Sequence, residues 1–195
     1  MEMNVLIVTD TNDRSETLTG TLQRLGYADL AAVTTDDDWA GIVRDRNPSV
    51  LVFGVDQPHE QLVDDIARVN GDQPLPVAMF TETSDRTVMA AAIRAGVSAY
   101  SVKGFNESRI GPVIDLAMAR FAEFQKLREE LEKTKSTLED RKTIDRAKGI
   151  VMQQRGCGED EAYRLLQKMA MDRHKKMAEV AREVILVSEV LKAEN

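Results

Sequence analysis

The sequence predicts an α/β domain built on a doubly wound, five-stranded parallel sheet, followed by a long coiled-coil helix and a small three-helix all-α module. Three observations carry this. Short, nearly continuous apolar runs alternate with helix-period segments over the first 120 residues. An apolar stripe at steps of three and four residues then continues past residue 120. Beyond about residue 143, apolar and cationic positions interleave at helical spacing, interrupted by Gly156-Cys157-Gly158. A chain of 195 residues has room for one cored domain of about 120 residues and a smaller module.

Four runs rich in Val, Leu and Ile predict strands at Asn4–Val8, Val50–Gly54, Pro76–Phe80 and Ala99–Val102, and a weaker fifth fits at Leu30–Val33. The intervening helices are expected at about Asp13–Leu25, Asp37–Arg46, Glu60–Asn70 and Asp85–Ala95, with a long one from Glu107. Strands apolar along their whole length are those of a parallel sheet covered on both faces. Five such units are most simply arranged in the flavodoxin-like order 2-1-3-4-5. Asp36-Asp37-Asp38 reads as a helix start, where carboxylates cap free amides, and not as a calcium loop. His59, beside Pro58 and with no second His or Cys near it, reads as a surface loop residue. Trp39 and Tyr100 read as core or interface residues.

Folds of this kind hold their ligands at the carboxyl ends of the strands. Asp10 follows the first predicted strand there, Gly54 ends the third, Thr81 follows the fourth and Lys103 the fifth. On these positions the first half, residues 1–120, resembles the receiver domain of bacterial response regulators. The resemblance implies carboxylates that hold Mg2+, an aspartate that accepts phosphate, a hydroxyl that senses it and a lysine that neutralises charge. The acceptor departs from the pattern: counting back four residues from Pro58 reaches Gly54, which has no carboxylate. The acidic pair after the first strand is reduced to Thr9-Asp10, with Asp13 a turn later, and Asp56 replaces the acceptor only if the strand end shifts by two residues. A degenerate receiver serving as a protein-binding surface is therefore expected, with no metal site and no cofactor assigned; a vestigial metal site without phosphotransfer is the remaining alternative.

Val113, Ala117, Phe121, Phe124, Leu127, Leu131, Thr134 and Leu138 recur at steps of three or four, so the last receiver-like helix is expected to continue towards Arg155. Residues 121–142 form a coiled-coil linker in this reading, with Phe121, Phe124, Leu127, Leu131 and Leu138 at a homodimer seam. The seam is imperfect, since Arg120, Thr134 and Arg141 fall in it. A stripe covered by the protein's own domains or by a regulatory partner is the alternative.

Whole-chain composition, at a formal net charge of -7, conceals an asymmetry. Residues 1–120 carry 10 Lys and Arg against 18 Asp and Glu, whereas residues 141–182 carry 11 against 6. The basic stretch contains Ala147-Lys148-Gly149 with Met152, then Glu161-Ala162, Ala170-Met171 and Val180-Ala181. From about Thr143 to Val187 this pattern resembles the ANTAR domain, the three-helix RNA-binding module of antitermination regulators, and assigns residues 143–195 to it. Arg146, Lys148, Arg155, Arg173, Lys175 and Lys176 are the cations expected on an RNA surface, with Gly149 beside them. Gly149 in mid-helix costs about 1 kcal/mol relative to Ala, which a close helix crossing or a close RNA approach accounts for. Ile150, Val151, Ala162, Leu165, Leu166, Met169, Val180, Val184, Ile185 and Val187 are expected to form the small core. Tyr163 either packs into that core, the plainer reading, or stacks on a loop base.

Across the chain, Val88-Met89, Gly96-Val-Ser-Ala-Tyr100 and Ala117-Met-Ala-Arg-Phe121 resemble the NasT-type ANTAR antiterminators of nitrate assimilation and, more distantly, the AmiR type. That resemblance implies an antiterminator that binds paired stem-loops with hexanucleotide loops in leader mRNA, and a homodimer when active. It further implies control by a NasS-like nitrate- or nitrite-sensing protein and not by phosphorylation. A phosphorylation-dependent, DNA-binding response regulator and a purely protein-binding adaptor are the competing readings. No nucleophile-base motif, glycine-rich phosphate loop or metal-ligand cluster supports an enzyme. With no apolar run of 18 residues and no signal-peptide pattern, a cytoplasmic protein without a membrane partner is expected. The single Cys157 excludes an intrachain disulfide framework.

Overall fold

A computed structural model describes residues 3–83, 85–103 and 106–193, so the extreme ends of the 1–120 and 143–195 segments lie outside the described residues. The chain divides into two compact units, residues 1–126 and 127–195.

In the first unit, strands β1 (Asn4–Thr9), β2 (Asp29–Thr34), β3 (Val50–Val55), β4 (Val77–Thr81) and β5 (Ala99–Val102) alternate with helices α1 (Asn12–Arg24), α2 (Trp39–Arg46), α3 (Glu60–Asp72) and α4 (Arg86–Arg94). The strands pair in parallel in the order β2-β1-β3-β4-β5, the doubly wound arrangement expected from the sequence. Alternate strand residues face opposite sides of the sheet. Leu6, Val8, Leu51, Phe53 and Met79 therefore pack with Leu62, Val63 and Ile66 of α3 on one face. Val5, Ile7, Val50, Val52 and Phe80 pack with Leu18 and Leu22 of α1, and with Ile110 and Ile114, on the other. Central β3 is buried at all six positions, whereas edge β2 is only half-buried, and its apolar run is correspondingly the weakest in the sequence.

Local polar groups fix the helix starts. Asp38 caps α2 by accepting from the Gly41 amide at 2.9 Å. Asp37 accepts from the Thr34 amide and hydroxyl, which hold its carboxyl below the usual aspartate range. Asp85 caps α4 through the Thr87 amide. His59 is more than a loop residue: its Nδ1 accepts from the Leu62 amide at 3.0 Å and caps α3. Trp39 belongs to the core, edge-on to Phe53 with ring centroids 5.3 Å apart. Gly96 has φ +104°, and a Cβ there would meet the Asn70 side chain at 2.3 Å, so only glycine fits the turn into β5.

Helix α5 (Glu107–Arg155) runs 49 residues without a break, as the apolar stripe predicts. Its early part covers the first unit's sheet and its later part belongs to the second unit. There α5 is joined by α6 (Glu159–Asp172) and α7 (Met177–Ala193). The second unit's core is narrower than the sequence suggests: Ala147, Leu166 and Ala181 form its centre, flanked by Ile144, Val151, Met177, Val184 and Ile185. Ala162, Ala170, Ala178 and Val180 are also buried, and these small side chains let the helices approach closely. Val187, expected in this core, is exposed. No helix among the described residues is long and apolar enough to cross a membrane.

Candidate nucleic-acid interface

The carboxyl edge of the first unit's sheet gathers the receiver-like remnant. Parallel register sets Thr9 beside Gly54 and Gly54 beside Phe80, and β3 ends at Val55, so Asp56 lies one residue beyond the strand. The strand has not slipped by two residues, and no carboxylate stands at Gly54. Arg14, one helical turn after Asp10, donates to both Asp10 carboxylate oxygens at 2.5 Å. Its second terminal nitrogen lies 3.7 Å from Asp56 Oδ1. The Asp56 amide donates to Asp10 Oδ2 at 2.7 Å, and the Asp56 carbonyl accepts from the Glu82 and Thr83 amides at 3.2 Å. The carboxylates that in a receiver would face a divalent cation thus face a guanidinium already fixed in place. Thr81 is fully buried and its hydroxyl donates to the Ser101 carbonyl at 3.5 Å. Lys103 is exposed, with a left-handed backbone at φ +61°. Tyr100 packs half-buried against the core on the α3 side, with its hydroxyl lacking a hydrogen-bond partner among the described residues. Among the described residues no three His, Cys, Asp or Glu side chains come together as a metal-binding group.

The second unit distributes its charge differently. Of the cations expected on an RNA surface, Arg146 pairs with Glu189 at 2.7 Å, and Arg173 and Lys175 both pair with Glu183. Lys175 foremost, with Arg173, pulls the Glu183 carboxyl below the usual range. Lys148 is held between Asp145 Oδ1 at 2.8 Å and Glu159 Oε1 at 2.7 Å, its side chain only 14% exposed. The two hydrogen bonds, Asp145's the stronger, raise the Lys148 ammonium above the ordinary lysine value, and the same bond lowers Asp145. Arg155 and Lys176 are exposed and have no ion-pair partner among the described residues, and the Lys176 amide donates to Glu179 at the start of α7.

Further exposed cations without an ion-pair partner among the described residues, Lys142, Arg164 and Lys168 among them, were not singled out by the sequence reading. Arg164 and Lys168 lie one turn apart on α6, on the side away from the buried stripe Ala162, Leu166 and Ala170. Tyr163 borders the buried stripe, roughly 100° round the helix from Arg164, and is 45% exposed, which corrects its assignment to the core. The signal was present: Ala162, Leu166 and Ala170 recur every four residues and compete with Tyr163 for the inward position. Aromatic and cationic side chains exposed on one helix can stack on a base and neutralise phosphates.

Gly149 is exposed, and a Cβ built there meets no atom within 4 Å. A close helix crossing in this chain therefore does not account for it. With Arg141, Asp145, Lys148 and Met152 on one side of α5, and Glu159 from the start of α6, it lines an open groove of about 370 Å³. Gly156, at φ +63°, ends α5 so that α6 can return and place Glu159 there.

On the linker part of α5, Phe124, Leu127, Leu131 and Leu138 are 53–64% exposed, and Phe121 is half-buried. These side chains form the apolar stripe expected of a helix that pairs with another.

The ANTAR domain family matches residues 132–185. The chain is 31% identical over 165 residues to the transcriptional regulatory protein PdtaR of Mycobacterium tuberculosis, covering 85% of this chain and 80% of that protein. It is 37% identical over 75 residues to the nitrate regulatory protein of Klebsiella oxytoca, a stretch covering 38% of this chain and 19% of that one. Among solved structures, the receiver domain of a modulated diguanylate cyclase from Desulfovibrio desulfuricans superposes with a TM-score of 0.54 at 22% identity. That likeness covers 63% of this chain and 98% of the other, and shows the fold of the first unit.

Proposed function

The chain belongs to the ANTAR-domain family of transcriptional regulators, and from that premise we propose that it is an antiterminator that binds paired stem-loops in leader mRNA. The observation that carries this reading is the outer surface of the second unit. There Lys142, Arg155, Arg164, Lys168 and Lys176 are exposed and have no ion-pair partner among the described residues, and Tyr163, on the same helix as Arg164 and Lys168, is 45% exposed. Unpaired cations attract phosphates, and an exposed ring beside them accepts an unstacked loop base. The target genes in this proposal serve nitrate or nitrite assimilation, in line with the similarity to the Klebsiella oxytoca nitrate regulatory protein.

Control belongs to a protein partner and not to phosphorylation. Gly54 offers no acceptor oxygen, and Arg14 already compensates Asp10 and Asp56, so the strand ends have neither the nucleophile nor free metal-facing carboxylates. A NasS-like nitrate- or nitrite-sensing protein sequesters the regulator in this scheme. Its release shifts the population towards the RNA-competent homodimer, joined along Leu127, Leu131 and Leu138 in the cytoplasm. The exposed stripe also favours a second reading, a protein-binding adaptor without RNA affinity. A phosphorylation-dependent DNA regulator has no comparable support.

The deciding experiment titrates the protein with a fluorescent leader RNA carrying two hexaloop stems, beside duplex DNA of the same sequence, at two salt concentrations. RNA-selective binding that weakens with salt, with a log-log slope of roughly -0.7 per phosphate neutralised, is the expected result. Equal or absent binding to both nucleic acids supports the adaptor instead.

A further inference from the structure

We propose that the groove lined by Arg141, Asp145, Lys148, Gly149, Met152 and Glu159 seats one unpaired nucleobase that carries an exocyclic amino group, and disfavours uracil. The inference rests on the RNA-binding reading and specifies what this part of the surface does. The groove is not a phosphate clamp. Arg141 and Lys148 are matched there by Asp145 and Glu159, so the lining carries no net charge and presents two carboxylates that would repel a phosphate.

Those carboxylates are instead suited to receive N–H donors. Lys148 engages Asp145 Oδ1 and Glu159 Oε1, and both carboxylates remain open to a ligand, their side chains 55% and 68% exposed. An ionised carboxylate accepts only, and it pairs with the amino groups of cytosine, adenine or guanine. Uracil offers only its ring N3–H and carries a carbonyl oxygen where cytosine has its amino group, so it can serve one carboxylate but sets an acceptor against the other. Lys148 is a positioning residue here. Largely covered and bonded on both sides, it fixes the two acceptors before a base arrives, so little ordering remains to be done on binding.

Shape agrees with this chemistry. A groove of about 370 Å³ lies at the small end of ligand sites, suited to one planar ring system. Gly149 leaves its wall flat, although an exposed mid-helix glycine is disfavoured by about 1 kcal/mol and nothing within 4 Å forbids a side chain. Met152 adds an apolar, adaptable surface against which a ring face can lie.

The test uses the full chain and a two-hairpin RNA in which each loop base in turn is replaced by uridine or by an abasic residue. The wild-type protein is expected to lose about tenfold or more in affinity when one particular A, C or G is replaced. A Cβ at position 149 meets no atom within 4 Å, so Gly149→Leu can extend its side chain into the groove. It should bind the intact RNA about as weakly as the wild type binds the replaced one, and should no longer distinguish them. Glu159→Gln offers an amide donor and should shrink the uridine penalty specifically. Circular dichroism melts check that both variants fold; Gly149→Leu is expected to melt no lower than the wild type. If wild-type protein binds no RNA at either salt concentration, the RNA reading fails and the base seat with it. If RNA binds but Gly149→Leu keeps the wild-type discrimination, at full or uniformly lowered affinity, the RNA reading stands and the base seat is overturned.

Discussion

The strand ends of the first unit and the outer helical surface of the second both set guanidinium and ammonium groups against carboxylates, with opposite results. At the strand ends one cation, Arg14, meets two acids, Asp10 and Asp56, so Asp10 is paired and the acids still exceed the cation by one. Within residues 141–182 of the second unit the cations outnumber the acids, 11 to 6. After Arg146, Lys148, Arg173, Lys175 and Arg182 are paired, Lys142, Arg155, Arg164, Lys168 and Lys176 are among the cations that remain without ion-pair partners among the described residues. What a charged site can bind depends on what its own neighbours leave uncompensated, more than on which motif residues it retains.

The largest expected effect breaks the second half of this contrast. Arg164→Glu with Lys168→Glu should lower RNA affinity by about 100-fold and flatten its salt dependence, because two unpaired cations become anions. Arg146→Ala, which removes a cation already satisfied by Glu189, should cost clearly less in the same fluorescence titration. Equal losses would show that internal pairing does not decide which cations meet RNA.

Next in size is the linker stripe. Leu131→Asp places a charge among side chains that a partner helix would cover, and should raise the dimer dissociation constant at least about tenfold, read by analytical ultracentrifugation. An unchanged mass distribution would assign the stripe to another partner. In the first unit, Arg14→Ala should destabilise by only about 1 kcal/mol in urea denaturation, since the Asp56 amide still satisfies Asp10, and should leave RNA affinity unchanged. It should also raise Mg2+ affinity, measurable by calorimetry, above that of the wild type, because Asp10 and Asp56 would then need another cation. Failure to gain any Mg2+ binding would mean that Arg14 is not what compensates this edge.

The smallest effect is that of pH on the second unit. Asp145 and Glu183 have folded-state values below their ordinary ones, so their contribution is complete above the ordinary carboxylate range and is lost as pH falls through the lowered values. Lys148 is shifted upward, so its contribution is complete below the ordinary lysine value and is lost only as pH rises through the raised one. Melting temperature should therefore stay flat from about pH 6 to pH 9 and fall on either side. A clear transition inside that interval would implicate a different titrating group.

Much of the architecture was legible because its signals are local. A run such as Val50-Leu-Val-Phe53 can only be a strand covered on both faces, and the stripe from Val113 to Leu138 follows the helical period whatever surrounds it. The weak Leu30–Val33 run was legible for the same reason, as the half-exposed edge strand it proved to be. Even the missing acceptor could be counted from Pro58 back to Gly54. Tyr163 was misassigned within reach of the same method, because the small residues Ala162 and Ala170 were given less weight than a large aromatic in choosing the buried face of α6.

By itself, then, the sequence determined the strands, the helices, the sheet order and the positions of the cations. Only the tertiary structure decided which cations are spent on the protein's own acids. Arg146 meets Glu189, 43 residues on, Lys148 meets Glu159, 11 residues on, and Arg14 reaches Asp56 across the ends of two strands. Periodicity reports which side of its own element a residue occupies. Coulomb attraction and hydrogen bonding act over a few ångströms through space, and those distances exist only once separate elements have packed together.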